Sequence, residues 1–265
     1  TIAIVDGEVR VGLAADELER LAAAHTARKV SLRDLPVTLA QKATGGTTVA
    51  ATLPLAHRAG IRVFATGGIG GVHRGHPEDV SADLPALAAT PLVVVCAGAK
   101  AILDLPRTLE YLETHGVPVI GYGADEFPAF YSRRSGLPVD AQVETPEEVA
   151  QMAQARAAVG LTTALLVCVP VPEADELPTA EAEAAIAQAL REAEAAGVSG
   201  KALTPFLLAR LVELTGGQGR RANEALLVND ARVAARIARA MTDAGMTFCF
   251  ARQDMLECSK VKSAP

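Results

Sequence analysis

Four short apolar runs set the architecture: 61–66 (IRVFAT), 92–97 (LVVVCA), 117–122 (VPVIGY) and 163–169 (TALLVCV). Each is rich in β-branched residues and too short for a typical helix. Stretches of helical character separate them at 84–90, 100–115 and 146–158. Strands alternating with helices read as βαβ units, whose strands pair in parallel and whose sheet is covered on both faces. The expected fold class is α/β, three layers with a largely parallel or mixed central sheet.

Around that centre the chain reads as follows. "TIAIVDGEVRVGL" alternates on both sides of Asp6-Gly7, a two-residue turn signal, and predicts a hairpin over residues 1–13. "AADELERLAAA" predicts a helix with its charges on one face, and a further helix is expected at 46–59, ending at Gly60. Beyond residue 175 the pattern is helical over 179–197, 204–215 and 220–242, interrupted at Gly197, Gly200, Gly216 and Gly217. The tail 246–265 (MTFCFARQDMLECSKVKSAP) has no clear period and is given no role. With no internal repeat and no long linker, a single domain over 1–245 is expected. The chain opens abruptly on a strand at Thr1, which points to processing or truncation.

Composition narrows the function classes. Half of the 265 residues are hydrophobic, aromatics are 3% and Trp is absent, so the core must be aliphatic. A net charge of −6 and a pI near 5.5 argue against a nucleic-acid partner, which needs a basic face. A local basic pocket for one phosphate remains compatible with it. Cys96, Cys168, Cys249 and Cys258 show no metal-binding spacing, and the first two sit in apolar runs as small hydrophobes. A reducing, cytoplasmic location follows as an expectation. No apolar run reaches the ~18 residues that span a bilayer, so no membrane partner is expected, and no secretory signal is visible.

The chemistry-bearing residues gather around Lys100. "VVVCAGAK" runs from a buried strand through Ala97, Gly98 and Ala99 to a single amine at the strand's C-terminal end, the edge where open parallel sheets bind ligands. If the helix at 100–115 starts there, its positive end and an apolar wall would both lower the pKa of Lys100 and favour the neutral nucleophile. An ordinary turn lysine on the surface is the plain alternative. "ATGGIGGVHRG" (65–75) fits neither the dinucleotide nor the phosphate-loop pattern, yet its glycines suit close approach of a ligand or a merely tight turn. In "EDVSADL" (78–84), Ser81 and Asp83 read as helix caps, while Asp79 and Asp83 are also able to hold a hard cation and a sugar hydroxyl. These three stretches are expected to leave C-terminal strand ends and converge. His73 is the histidine placed near a ligand; His25, His57 and His115 read as helix-surface residues.

"ATGGIGGVHRG", "SADL", "VVCAGAKAILDLPRTLEYLETHGVPVIGYGADEFPAFYSRRSGLPV" and "GKALTPFLLARLVELTGG" closely resemble the pseudouridine-5′-phosphate glycosidases, the indigoidine synthase A-like family, over residues 1 to about 240. The resemblance implies that family's α/β/α fold, Mn²⁺ as cofactor, a homotrimer, and reversible cleavage of pseudouridine 5′-phosphate, a small-molecule substrate, to uracil and ribose 5-phosphate. Carried over by motif, Lys100 is the covalent nucleophile and Asp79 the metal ligand. Ser81, Ala82 and Asp83 contact substrate. Lys29 of "RKVSLRD" is a substrate-binding lysine, and Val49 of "GGTTVAAT" lines that site. Thr66, His73 and Asn223 of "RANEALLVND" also line the implied pocket.

A carbon–carbon bond explains the lysine. Its carbon leaving group is not released by protonating an oxygen, so the paired carboxylates of ordinary glycosidases do not suffice. An amine adding to the opened sugar at C1′ lets uracil depart as a Schiff base forms. Two departures from the family stand out. The family's general-acid glutamate lies upstream of the opening hairpin and is absent from this sequence, so the 265-residue chain by itself is expected to have little glycosidase activity. Val169 stands where the family usually has Asn, so a pocket hydrogen bond is expected to be lost. Two alternatives stay open: a catalytically impaired remnant that binds a sugar phosphate, or a Schiff-base lyase or aldolase on another sugar phosphate.

Overall fold

A computed structural model describes residues 1–24, 26–198, 203–245 and 262–263. His25, Gly200, Cys249, Cys258 and the tail, apart from 262–263, lie outside the described residues. The chain opens with β1 (Ile2–Val5), β2 (Glu8–Val11), α1 (Ala15–Ala23), β3 (Arg28–Val30), α2 (Leu35–Ala40), β4 (Gly45–Thr47) and α3 (Val49–Arg58). The expected hairpin is present: β1 and β2 pair antiparallel from Ile2↔Val11 to Val5↔Glu8. Asp6 and Gly7 both have positive φ, 51° and 78°, the turn geometry that matches the twist of two adjacent strands. β4 adds antiparallel to β1, β3 parallel to β4, and β13 (Lys262–Ser263) parallel to β2. The helix expected at 46–59 therefore starts later. Gly45, Gly46 and Thr47 are extended between β1 and β3, glycine being a poor helix former, and Thr48 caps the helix by accepting from the N–H of Ala51.

Next come β5 (Val63–Ala65), β6 (Val72–His73), β7 (His76–Val80), α4 (Asp83–Ala89), β8 (Val93–Cys96), β9 (Leu103–Asp104), α5 (Leu105–Thr114), β10 (Val119–Tyr122), β11 (Ala141–Val143), α6 (Pro146–Ala158) and β12 (Leu165–Cys168). The second sheet has the order β11-β10-β12-β8-β5 and is parallel throughout. Its strands are the four apolar runs plus β11. α7 (Thr179–Ala195), α8 (Leu203–Leu214) and α9 (Gln218–Asp243) complete the α-helices among the described residues.

Alternation along the central strands divides the core in two. Val93, Val95, Leu165 and Val167 face α6 and α9, packing with Val149, Ala153, Val233 and Ile237. Val94, Cys96, Leu166 and Cys168 face the other way, into a larger core with Leu53 of α3, Leu84 and Leu87 of α4 and Leu112 of α5. Helices on both faces make the three layers. Full burial of each such aliphatic side chain contributes about 1.5–3 kcal/mol. Cys96 and Cys168 are free, buried register partners that fill space as hydrophobes, as their setting in the sequence predicts.

One expected helix start is wrong in a way that matters. The helix at 100–115 begins at Leu105, not at Lys100, with the Asp104 side chain accepting from the N–H of Arg107. Residues 100–102 form a turn, and β9 pairs antiparallel with β6. Lys100 thus receives no helix N-terminus. His57 lies within α3 and is half-buried, its Nδ1 3.0 Å from the guanidinium of Arg62, whereas His115 is exposed and stacks on Tyr111.

Candidate active site

The parallel ladder between β5 and β8 continues past the ends of both strands. The N–H of Thr66 donates to Val95, that of Ala97 to Gly67, that of Ile69 to Gly98 and that of Lys100 to Ile69. The glycine loop and the lysine segment are therefore one extended pair, and their register fixes the Lys100 backbone. Arg74 holds the residues that follow. Its Nε donates to the carbonyl of Leu103 at 3.0 Å and its Nη2 to that of Ala101 at 2.8 Å, while Glu183 of α7 grips the guanidinium at 2.7 and 2.9 Å. Arg74 lies in the quoted loop but carried no expectation. Its signal, a lone arginine among glycines, acquires meaning only once β6 meets β9.

The acidic stretch arrives differently from expectation. It leaves β7 of a small antiparallel sheet, β7-β6-β9, and not a C-terminal end of the parallel sheet. The β6–β7 hairpin folds it back over the glycine loop, so convergence holds by another route. Ser81 accepts from the N–H of Asp83 at 3.2 Å, but the N-cap position of α4 is Ala82 and carries no side-chain cap, because Asp83 is already the first helical residue. Asp83, 6% exposed, accepts from the N–H of Ala50 and from that of Gly70, each at 2.8 Å. One carboxylate ties the first turn of α3 to the glycine loop.

These segments enclose a cavity of about 910 Å³. All but one of the site residues singled out from the sequence line it: Lys100, Lys29, Val49, Thr66, His73, Asp79, Ser81, Ala82, Asp83 and Asn223. Lys29 reaches it from β3, Val49 from the first turn of α3 and Asn223 from α9. The wall also contains Ser31, Arg33, Phe130, Tyr131, Thr204 and Arg220, which sequence reasoning passed over. Arg33 and Arg220 sat inside quoted motifs, but charge alone does not distinguish a pocket arginine from a surface one. Val169 is not part of the wall; it is buried in the core that faces α9.

Burial lowers the pKa of Lys100, the negative charge of Asp83 raises it, and the positive charge of Lys29 lowers it again; the net direction is down. The neutral amine is thus favoured as expected, though by desolvation and a neighbouring cation and not by a helix end. Tyr131 is buried at the wall and its phenol is pushed up to about 12 by desolvation, so it stays a hydroxyl. Asp79 presents an exposed carboxylate to the cavity. Among the described residues no three His, Cys, Asp or Glu side chains cluster. A hard divalent cation fits such a site through one protein carboxylate, with water and ligand oxygens filling its shell.

The profile of the family described as "Indigoidine synthase A like protein" matches residues 1–240. This chain belongs to that family. A Methylobacterium nodulans protein named pseudouridine-5′-phosphate glycosidase is 57% identical, over 92% of this chain and 73% of its own length. One of the same name from Solibacter usitatus is 55% identical, over 90% of this chain and 80% of its own. Two solved family structures share the fold at 40% identity. The prealnumycin C-glycosynthase AlnA, in complex with ribulose 5-phosphate, has a TM-score of 0.87 and matches 92% of this chain and 82% of its own. An indigoidine synthase A-like protein from Thermotoga maritima has a TM-score of 0.84, over 89% and 78%. The family's α/β fold is the one described above, with its parallel sheet between helical layers.

Proposed function

We propose that the chain is a pseudouridine-5′-phosphate glycosidase, reversibly cleaving the C–C glycosidic bond to give uracil and ribose 5-phosphate. The observation that carries this reading is the convergence of Lys100 with Lys29, Asp79, Ser81, Asp83 and Asn223 on one cavity, in relatives' company that bears this name. The AlnA structure, with its bound ribulose 5-phosphate, supports a sugar phosphate as the ligand class.

In this reading Lys100 acts as the nucleophile. Ring opening breaks the C1′–O4′ bond, its electron pair and a proton going to O4′, while the base gives up its N1 proton and C1′ becomes doubly bonded to C5. The neutral Nζ of Lys100 then adds to that C1′ and a proton returns to N1. The bond from C1′ to C5 of uracil then breaks, its electron pair going to C5, which takes up a proton. The sugar is left as an imine on Lys100, and water hydrolyses it to ribose 5-phosphate and the free amine. Lys29, with Arg33 and Arg220 on the same wall, supplies positive charge for the phosphate. Asp79 is the proposed ligand for Mn²⁺, which supplies Lewis-acid neutralisation of anionic substrate oxygens. Asp83 keeps the glycine loop and α3 in place around the reacting carbon.

The same reading brings a homotrimer and a cytoplasmic setting. Exposed Leu32, Val37, Leu227 and Val228 are apolar side chains for a second copy to cover, and the two free buried thiols suit a reducing compartment. Among the described residues no helix is long and apolar enough to cross a membrane. The test of the function is release of uracil from pseudouridine 5′-phosphate with Mn²⁺. The reading expects whatever release this chain gives, small or large, to be lost in Lys100→Ala; a measurable release that Lys100→Ala retains in full would refute it.

A further inference from the structure

Phe130 has a backbone that its side chain disfavours. Its φ is +65°, in the left-handed region that a residue with a Cβ enters at a cost of about 1–2 kcal/mol. Packing has to hold it there, and the packing is specific. A Cβ built on Gly68 would meet the Phe130 ring at 2.6 and 2.7 Å and the carbonyl of Gly98 at 3.1 Å. The ring therefore occupies the notch left by a missing side chain in the glycine loop. A Cβ on Gly98 would collide with the carbonyl of Pro128 and reach the Phe127 ring at 3.3 Å. The segment from Phe127 to Phe130 thus wedges against both strand extensions, Gly68 on one and Gly98, two residues before Lys100, on the other. Phe130 is 3% exposed, lines the cavity, and meets Tyr131 edge-to-face at 4.7 Å.

The geometry points to Phe130 as a positioning residue for Lys100: its ring, seated in the Gly68 notch, seals the cavity floor and keeps water from beneath the amine. This inference rests on the reading of Lys100 as nucleophile, and it adds a residue that acts through Lys100 without touching the reacting atoms. The burial that depresses the Lys100 pKa is the property such a seal would maintain.

The test reads Lys100 directly in the full chain. Reductive methylation with formaldehyde and cyanoborohydride is measured across pH on the Lys100 peptide by mass spectrometry, giving the midpoint of its reactivity. Phe130→Ala is expected to raise that midpoint by about one unit, a tenfold loss of neutral amine below it. Gly68→Ala, which pushes the ring from the opposite side, is expected to raise it as well. Added to Phe130→Ala, Gly68→Ala is expected to have little further effect, because the ring it displaces is already gone. A purely structural role would lower the melting temperature and leave the midpoint in place. Unchanged midpoints in folded Phe130→Ala and Gly68→Ala would overturn the inference. Should Phe130→Ala not fold, an unchanged midpoint in both Phe130→Leu and Gly68→Ala would do the same. Failure of the parent protein to form a ribose 5-phosphate adduct would count against the proposed function alone, since methylation needs no substrate.

Discussion

Asp83 is the carboxylate whose charge opposes that of Lys100, yet both of its oxygens are held by backbone N–H groups, of Ala50 and Gly70, at 2.8 Å. The two side chains form no ion pair. Asp83 therefore lends the amine a negative field without fixing it in place, and spends its hydrogen-bonding capacity on the loop.

That division of labour predicts a large structural cost. Asp83→Ala removes two charge-assisted hydrogen bonds and strands two amides, for an expected loss of about 3–5 kcal/mol. Asp83→Asn retains one acceptor and should lose roughly half as much. Urea unfolding measures both. A loss in Asp83→Ala below about 1 kcal/mol would show that the loop is held by other contacts.

Lys100 should behave oppositely. Its folded pKa is depressed, so the folded protein resists protonation and its stability contribution is present above the ordinary lysine value and lost as pH falls through the folded one. Lys100→Met is therefore expected to raise the melting temperature at pH 7, with the gain shrinking above about pH 10. Lys29→Met, which removes a neighbouring positive charge, should move the Lys100 methylation midpoint upward. A lower melting temperature in Lys100→Met at pH 7 would contradict this electrostatic picture.

The metal prediction follows from a sparse ligand set. With Asp79 as the exposed carboxylate at the cavity and no cluster of three ligating side chains among the described residues, Asp79→Ala is expected to weaken Mn²⁺ binding at least tenfold, about 1.4 kcal/mol, by calorimetry. Unchanged affinity would place the ion elsewhere.

Much of this was legible in the sequence because the periodicity and the strand-end lysine are local signals. Val93 to Cys96 has no polar position, which forces it to the sheet centre, and Lys100 follows at the ligand-binding edge. α5 starts later than its pattern predicts because Ala101 and Ile102 are acceptable in a helix, while pairing with β6 holds Leu103 and Asp104 extended. Arg74 and Phe130 were missed for a related reason. Their roles depend on contacts with residues 101–103 and with Gly68, which no spacing in the sequence reports. The small sheet that carries Asp79 through Asp83 is hidden for a like reason, because a two-residue β6 is too short to show a pattern.

Asp230 is a liability the sequence concealed within a polar-looking helix. It is fully buried on α9, neither carboxylate oxygen has a hydrogen-bond partner among the described residues, and burial, reinforced by Cys96, pushes its pKa up to about 9. A raised folded value means that its stability contribution is complete below the ordinary carboxylate pKa and falls away as pH rises toward 9. Asp230→Asn is expected to be nearly neutral at pH 4 and to stabilise the fold by several kcal/mol, in order of magnitude, at pH 8. Denaturant unfolding at the two pH values measures the difference, and an equal effect at both would mean that the carboxyl is not held neutral.

The central claim is that the Lys100 amine attacks the sugar carbon, and trapping tests it most directly. The protein is incubated with ribose 5-phosphate and borohydride, digested, and its peptides weighed. The account predicts a reduced sugar-phosphate adduct on the peptide containing Lys100 and none in Lys100→Ala. An adduct on another lysine, or equal labelling of Lys100→Ala, would contradict it.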